Sequence, residues 1–453
     1  MFSQNLGPEG PAPGTTGRYI VLFREEDGGR AGASALSDTA GLSAVRTADF
    51  EEGAVEGDQL ESSEAVVFDE LSVAVVDAAP EQAQALGAAT TQEESPILAV
   101  EPERVVYALQ AERYGSAPMP SSNPPAPTAG PSAEFLQGYR DAVDHLVGRV
   151  LANGSLLGGV TEEVSAVAFD ESEFTWGLQA TKVAASQFSG RDVRVAVLDT
   201  GLDLQHPDFQ GRSISSRSFV LGEEAQDGHG HGTHCIGTAC GPRQPGKSPR
   251  YGIAFDSEIF AGKVLSNRGS GSDGGILAGI TWAIANGCHV ISMSLGAAVG
   301  SGQGFSPIFE AVAQRALAAG TLIVAAAGNE SNRPQVIAPV GHPANCPSIM
   351  AVAALDAQAR VAFFSCGSVN HPGGGVDIGG PGVSVRSSWP RPILYRTING
   401  TSMATPHVAG IAALHAQANP GARGRALAQV LFESARRLPL LSTDVGVGLV
   451  QAP

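Results

Sequence analysis

The sequence predicts an α/β fold with a mostly parallel central sheet over residues 171–453, preceded by a small α+β unit at 17–109. Two observations carry this. From about residue 171, continuous apolar runs rich in β-branched residues recur: VRVAVL (193–198), EIFAGKV (258–264), HVISM (289–293), TLIVAAA (321–327) and IMAVAAL (349–355). Helical stretches such as SDGGILAGITWAIANG (272–287) lie between several of them. Strands apolar on both faces belong to buried parallel sheets joined by crossover helices. Residues 17–109 read differently, with strand composition at RYIVLFR (18–24), AVVFDELSVAVVD (65–77) and PILAVEPERVVYAL (96–109) and Ala-rich helical stretches between.

The remaining stretches divide the chain. Residues 1–16 read as a disordered N-terminus. GSAPMPSSNPPAPTAGPSA (115–133) is an extended, semi-rigid linker. Phe135, Tyr139, Val143, Val147 and Val150 recur at helical spacing, so 134–152 is expected to be a helix packing on a neighbouring domain. The linker with this helix spans 110–170.

Charge narrows the function. Residues 17–109 hold five Arg, no Lys and 19 Asp or Glu, a net −14 of the chain's −17. No basic face is left for a nucleic acid. No run approaches the ~18 apolar residues of a membrane span, and the first twenty residues lack the basic and apolar regions of a signal peptide. Cys235, Cys240, Cys288, Cys346 and Cys366 are odd in number and none forms C-x-x-C, which argues against a disulfide framework.

GHGHGTHC (228–235) puts His229, His231 and His234 within eight residues. By itself the stretch fits a metal site, a general base with neighbours, or a His-rich turn. Two further stretches bear on it. Asp199 ends the apolar strand of VAVLDTGLDLQHPDF, and Ser402 lies among small residues in NGTSMATPHVAG at a helix start. A serine hydroxyl becomes a nucleophile when a base takes its proton, and that base needs a carboxylate to fix its tautomer.

DTG at Asp199, HGTH from His231, GTSMATPHVAG around Ser402 and AAAGN (325–329) together resemble the signatures of subtilisin-like serine proteases, the subtilases. The resemblance covers 171 to the end. It implies a three-layer sandwich in which Asp199, His231 and Ser402 form the triad and Asn329 is the oxyanion-hole side chain. His229 and His234 then carry no triad role. By the same resemblance Ser294, Leu295 and Gly296 pair with the substrate backbone, while Ala326 and Gly328 belong to the opposite wall of the primary pocket. Gly341 forms that pocket's floor and leaves room for large apolar or aromatic residues before the cut. Cys235 resembles a buried thiol of the proteinase K branch.

The resemblance implies Ca²⁺ as a structural ion only, none being required for the chemistry. Asp377, with carbonyls near Pro347 and Ile349, is the expected ligand, whereas Asp208 is read as a turn carboxylate. Residues 17–109 resemble an inhibitory, ferredoxin-like pro-domain, an intramolecular inhibitor whose last strand carries Tyr107 and Leu109 towards the active site; an accessory binding domain is the alternative. The chain is thus expected to be a self-processing zymogen, a monomer acting on proteins or peptides, with secretion favoured by the resemblance. An inactive protease-like scaffold and a metal-dependent hydrolase are the rival readings.

Overall fold

In the computed structural model, the structure describes residues 14–24, 29–50, 55–109, 168–370 and 373–453. The expected helix at 134–152 lies outside them. Of the N-terminal part, β1 (Thr15–Phe23), α1 (Arg30–Ala40), β2 (Ala44–Arg46), α2 (Gly57–Ser62), β3 (Ala65–Phe68), β4 (Val73–Val76), α3 (Pro80–Ala89) and β5 (Ile97–Ala108) follow in order. β1 begins two residues before the boundary read from the sequence. The run at 65–77 is a hairpin, turned by Ser72 in the left-handed region (φ 45°). β1 lies antiparallel between β4 and β5.

In the rest of the chain, helices cover both faces of an all-parallel sheet. β6 (Arg194–Asp199), β7 (Ile214–Ser218), α4 (His231–Cys240), β8 (Glu258–Lys263), β9 (Ser270–Ser272), α5 (Asp273–Ala285), β10 (Val290–Met293) and β11 (Leu295–Gly296) come first. Then follow α6 (Pro307–Ala318), β12 (Leu322–Ala326), β13 (Met350–Leu355), β14 (Ile378–Pro381), a hairpin of β15 (Val385–Trp389) and β16 (Leu394–Ile398), and α7 (Thr401–Ala418). The sheet runs β14-β13-β12-β10-β6-β8-β7. Successive residues of one strand face opposite layers. Val195 and Val197 pack with Ile236 of α4 and Val408 of α7, whereas Ala196 and Leu198 pack with Ile276 of α5 and Phe309 of α6.

All five expected strands form. β7 and β14 were not anticipated: ISSRS is a polar edge strand and IGGP is too Gly-rich to carry an apolar signal. β5 leaves its own sheet at its C-terminal end. There it runs antiparallel between β9 and β11, joining residues 14–109 to the rest of the fold.

Candidate active site

The parallel sheet delivers Asp199 at the C-terminal end of β6, where functional groups of such sheets collect. His231 is the first residue of α4. Its Nδ1 lies 2.8 and 3.0 Å from the two carboxylate oxygens of Asp199. Thr200 N–H donates to Asp199 Oδ1 at 2.7 Å, and both partners are buried. Nδ1 is therefore the protonated nitrogen, leaving Nε2 as the acceptor.

A second carboxylate, absent from the sequence reading, shapes the loop. Asp227 accepts N–H bonds from His229, Gly230 and Thr233 (2.8–2.9 Å) and hydroxyl bonds from Thr200 and Thr233. Thr200 Oγ1 in turn accepts Gly232 N–H at 2.8 Å. Together they fix the turn that launches α4. Asp227 directly precedes the GHGHGTHC stretch; only its side-chain geometry distinguishes it from a solvent-facing loop residue.

The three histidines are sorted by surroundings. His234 is wholly buried, its Nε2 on the Val385 carbonyl at 3.1 Å, and burial pushes its pKa down to about 3. His229 stacks edge-on to His231 at 6.2 Å, with its pKa lowered first by burial and then by His231. Among the described residues, the single cluster of metal-ligating type is Asp199, His231 and Cys235. The Cys235 thiol is pushed well up by burial and lies 3.6 Å from the Ser402 carbonyl. All five cysteines are unpaired.

Ser402 is the second residue of α7, which packs on α4. Its hydroxyl donates to the Ser294 carbonyl at 2.9 Å, while Ser294 Oγ donates to the Ser402 carbonyl at 2.8 Å. In this arrangement the hydroxyl is turned to Ser294, and among the described residues His231 Nε2 is buried without a hydrogen-bond partner.

Asn329 is held by another residue the sequence reading passed over. Thr401 donates its N–H and its hydroxyl to Asn329 Oδ1, both at 2.9 Å. That turns Nδ2 towards Leu109, whose carbonyl it binds at 2.8 Å. A Cβ on Gly400 would lie 2.8 Å from the same carbonyl, and its φ of 155° is one that other residues avoid. The glycine keeps this space open for a carbonyl oxygen.

The strand ladders continue the pattern. Leu295 faces Ala108 and Gly296 faces Tyr107 on one side; Ser270, Gly271 and Ser272 face Tyr107, Val106 and Val105 on the other. Leu109 N–H donates to the Ser294 carbonyl at 3.3 Å, and its side chain is 9% exposed. Tyr107 points outward, 52% exposed. Gly341 pairs with Ala327 through its N–H, and a Cβ there would sit 2.8 Å from the Ala297 carbonyl. Gly328 (φ 115°) has Glu330 and Cys366 where a side chain would go. Ala326 is the last residue of β12 and is buried.

Of the two carboxylates weighed for a cation, Asp208 is engaged by Tyr251 Oη (2.6 Å), Tyr395 Oη (3.2 Å) and Gly246 N–H (3.1 Å). Asp377 accepts Ala351 N–H at 2.8 Å, and burial pushes its pKa up to about 7.

A buried carboxylate–imidazole pair, a serine at a helix N-terminus and an amide donor aimed at a carbonyl make up the equipment for acyl transfer. Comparison with known proteins agrees. The profile of the Subtilase family matches residues 190–448. Alkaline elastase YaB of Bacillus sp. (strain YaB) is 40% identical over 281 residues, 61% of this chain and 68% of that protein. Subtilisin Savinase of Lederbergia lenta is 40% identical over 282 residues, 61% of this chain and 96% of that one. The solved structure of sphericase, 31% identical, aligns with a TM-score of 0.55 over 63% of this chain and 100% of its own. The chain belongs to the subtilase family and is a subtilisin-like serine protease.

Proposed function

We propose that this protease is made as a zymogen, cuts through Asp199, His231 and Ser402, and is inhibited by residues 14–109, a ferredoxin-like pro-domain. The observation that carries the reading is the Asn329 Nδ2 contact to the Leu109 carbonyl, 2.8 Å, at the end of a strand threaded between β9 and β11. A substrate would lie in the same way, with the residue at position 109 preceding the cut.

The chemistry follows from the groups present. The Ser402 hydroxyl leaves the Ser294 carbonyl, gives its proton to the unpartnered Nε2 of His231, and attacks the carbonyl carbon. Asp199 stabilises the imidazolium through Nδ1. The oxyanion takes the Asn329 Nδ2–H and the Ser402 N–H, at the positive end of α7. His231 then protonates the leaving nitrogen, and water, deprotonated by His231, releases the acyl group.

The enclosed Leu109 side chain beside Gly296, with glycine at 341, favours large apolar residues before the cut. For a cation, Asp377 is the candidate ligand: a hard oxygen donor, largely enclosed, with one backbone N–H on it. It would hold Ca²⁺ with neighbouring carbonyls near Pro347 and Ile349, as structural support only.

Intact-mass analysis of the full chain tests the zymogen reading. Wild type should lose everything through Leu109, and Ser402→Ala should stay at full length. An active protein that remains uncut would demote residues 14–109 to an accessory domain.

A further inference from the structure

Six positions before the presumed cut, β5 carries Arg104, and there the fold has built a charged contact that the reaction does not use. Asp273, the first residue of α5, is completely buried. Its two oxygens have different kinds of partner. Oδ1 is 2.9 Å from His342 Nε2, itself 2% exposed, a contact wholly within residues 168–453. Among the described residues, Oδ2 accepts only from Arg104, through its backbone N–H at 3.1 Å and its guanidinium Nη1 at 3.4 Å. The guanidinium's other arm is held by Glu101 at 2.9 Å. When β5 departs, Oδ1 keeps its histidine and Oδ2 loses both donors.

A buried carboxylate oxygen left bare is costly, so whatever chain next fills the groove is selected by how well it restores the donors. Any residue but proline offers a backbone N–H at this position. Only arginine, and less well lysine, adds a cation. A carboxylate would face Asp273 directly.

We propose that Asp273 is a specificity-determining residue that selects a basic side chain at the sixth position before the cut in peptide substrates. This rests on the reading that residues 104–109 lie as a substrate does. The preference is a moderate one, because Arg104 keeps 23% of its side chain exposed and its ion contact is long.

The test uses quenched-fluorescence peptides X-Val-Val-Tyr-Ala-Leu-Gln-Ala-Glu-Arg, with X as Arg, Lys, citrulline, Ala, Glu or Pro, and the mature enzyme produced by expressing the full chain and letting it process itself. We expect kcat/KM for X = Arg to exceed that for Ala by about fivefold and that for Glu by about twentyfold. Citrulline, which keeps the shape without the charge, should fall near Ala, and Pro should fall below Ala. In Asp273→Asn the Arg-to-Ala ratio should drop to about one, whatever its absolute rate. Equal values for Arg and Ala in the wild type, or an undiminished ratio in Asp273→Asn, would overturn the assignment. The site of cleavage separates the two readings: cutting after Leu without an Arg preference sinks only the role of Asp273, whereas cutting elsewhere, or none, removes the substrate-like reading and the inference with it.

Discussion

The two faces of the N-terminal sheet bury the same kinds of residue against different partners. Val21, Phe23, Val67, Ala74 and Val76 pack with Leu36 and Leu86 of the segment's own helices. Their neighbours Ile20, Leu22, Val66, Phe68, Val73 and Val75 pack with Ile276, Ile280, Phe309 and Val312 of the protease body. The first core closes within residues 14–109. The second is the protease body's own core under α5 and α6, which this face of the segment's sheet joins, so that face depends on the body for its burial. On the zymogen reading proposed above, release would expose that face, which would favour tight binding before the cut and degradation after it.

The largest effect that tests this division is on chemistry. Ser402→Ala removes one oxygen and should lower peptide hydrolysis by about 10⁶, with His231→Ala similar, while both remain folded and uncut. Activity above about a thousandth of wild type in either variant would refute the triad assignment. His229→Ala should keep most activity. His234→Ala should instead cost stability, on the order of 2 kcal/mol, because it empties a fully buried site rather than a reacting one. Rates for His229→Ala as low as those for His231→Ala would reverse the answer drawn for the three histidines.

Binding comes next in size. The isolated segment, added to mature enzyme, should inhibit it. Phe68→Ala on the face that joins the body should raise the inhibition constant by about a hundredfold, from the ~3 kcal/mol of a truncated buried phenylalanine. Leu36→Ala on the private face should act through the segment's own melting temperature. Salt should matter little despite the net −14 of 17–109. The charges at the seam are enclosed: Glu103 is buried, accepts the Gly274 N–H at 2.8 Å and is forked by Arg18. A steep loss of inhibition with salt, or equal effects of the two substitutions, would break the distinction between the faces.

The legibility of these features follows from how local they are. Strands of the parallel sheet announce themselves because both faces are apolar, and Asp199, His231, Ser402 and Asn329 sit in short multi-residue strings. AVVF and VAVV also show that both faces of the N-terminal hairpin are covered, but not by what. That requires knowing that β5 crosses into the groove of β9 and β11. The side chains that orient the site were hidden for the same reason: Asp227 and Thr401 act through bonds to residues whose positions only the fold supplies. Asp273 and His342, 69 residues apart, have no sequence pattern linking them.

The pocket should respond more gently. A side chain at 341 must push against the Ala297 carbonyl, 2.8 Å from the first added carbon, so Gly341→Val narrows the space beside Leu109 and also shifts its wall. Preference should move from Leu, Phe and Tyr towards Ala by about tenfold in kcat/KM. A peptide-library profile of the wild type dominated by Arg or Asp immediately before the cut would refute the mapping of the pocket.

The smallest effect belongs to Asp377. In the folded chain its carboxyl ionises only near pH 7, against an ordinary 3.8. Between those values the folded state holds a proton that the unfolded state has already lost. Stability in chelator should therefore fall as pH rises from 3.8 to about 7, and then level off. A bound cation works in the opposite direction, because it favours the ionised carboxylate and so stabilises the fold most at and above neutral pH. Millimolar Ca²⁺ at pH 8 should raise the melting temperature of inactive Ser402→Ala by about 5 °C. Adding Asp377→Asn should abolish that rise and also flatten the metal-free pH dependence, since the neutral amide neither titrates nor attracts the ion. A calcium response that survives Asp377→Asn would move the ion to another site, while a flat metal-free profile in the parent would show that its burial costs the carboxylate nothing.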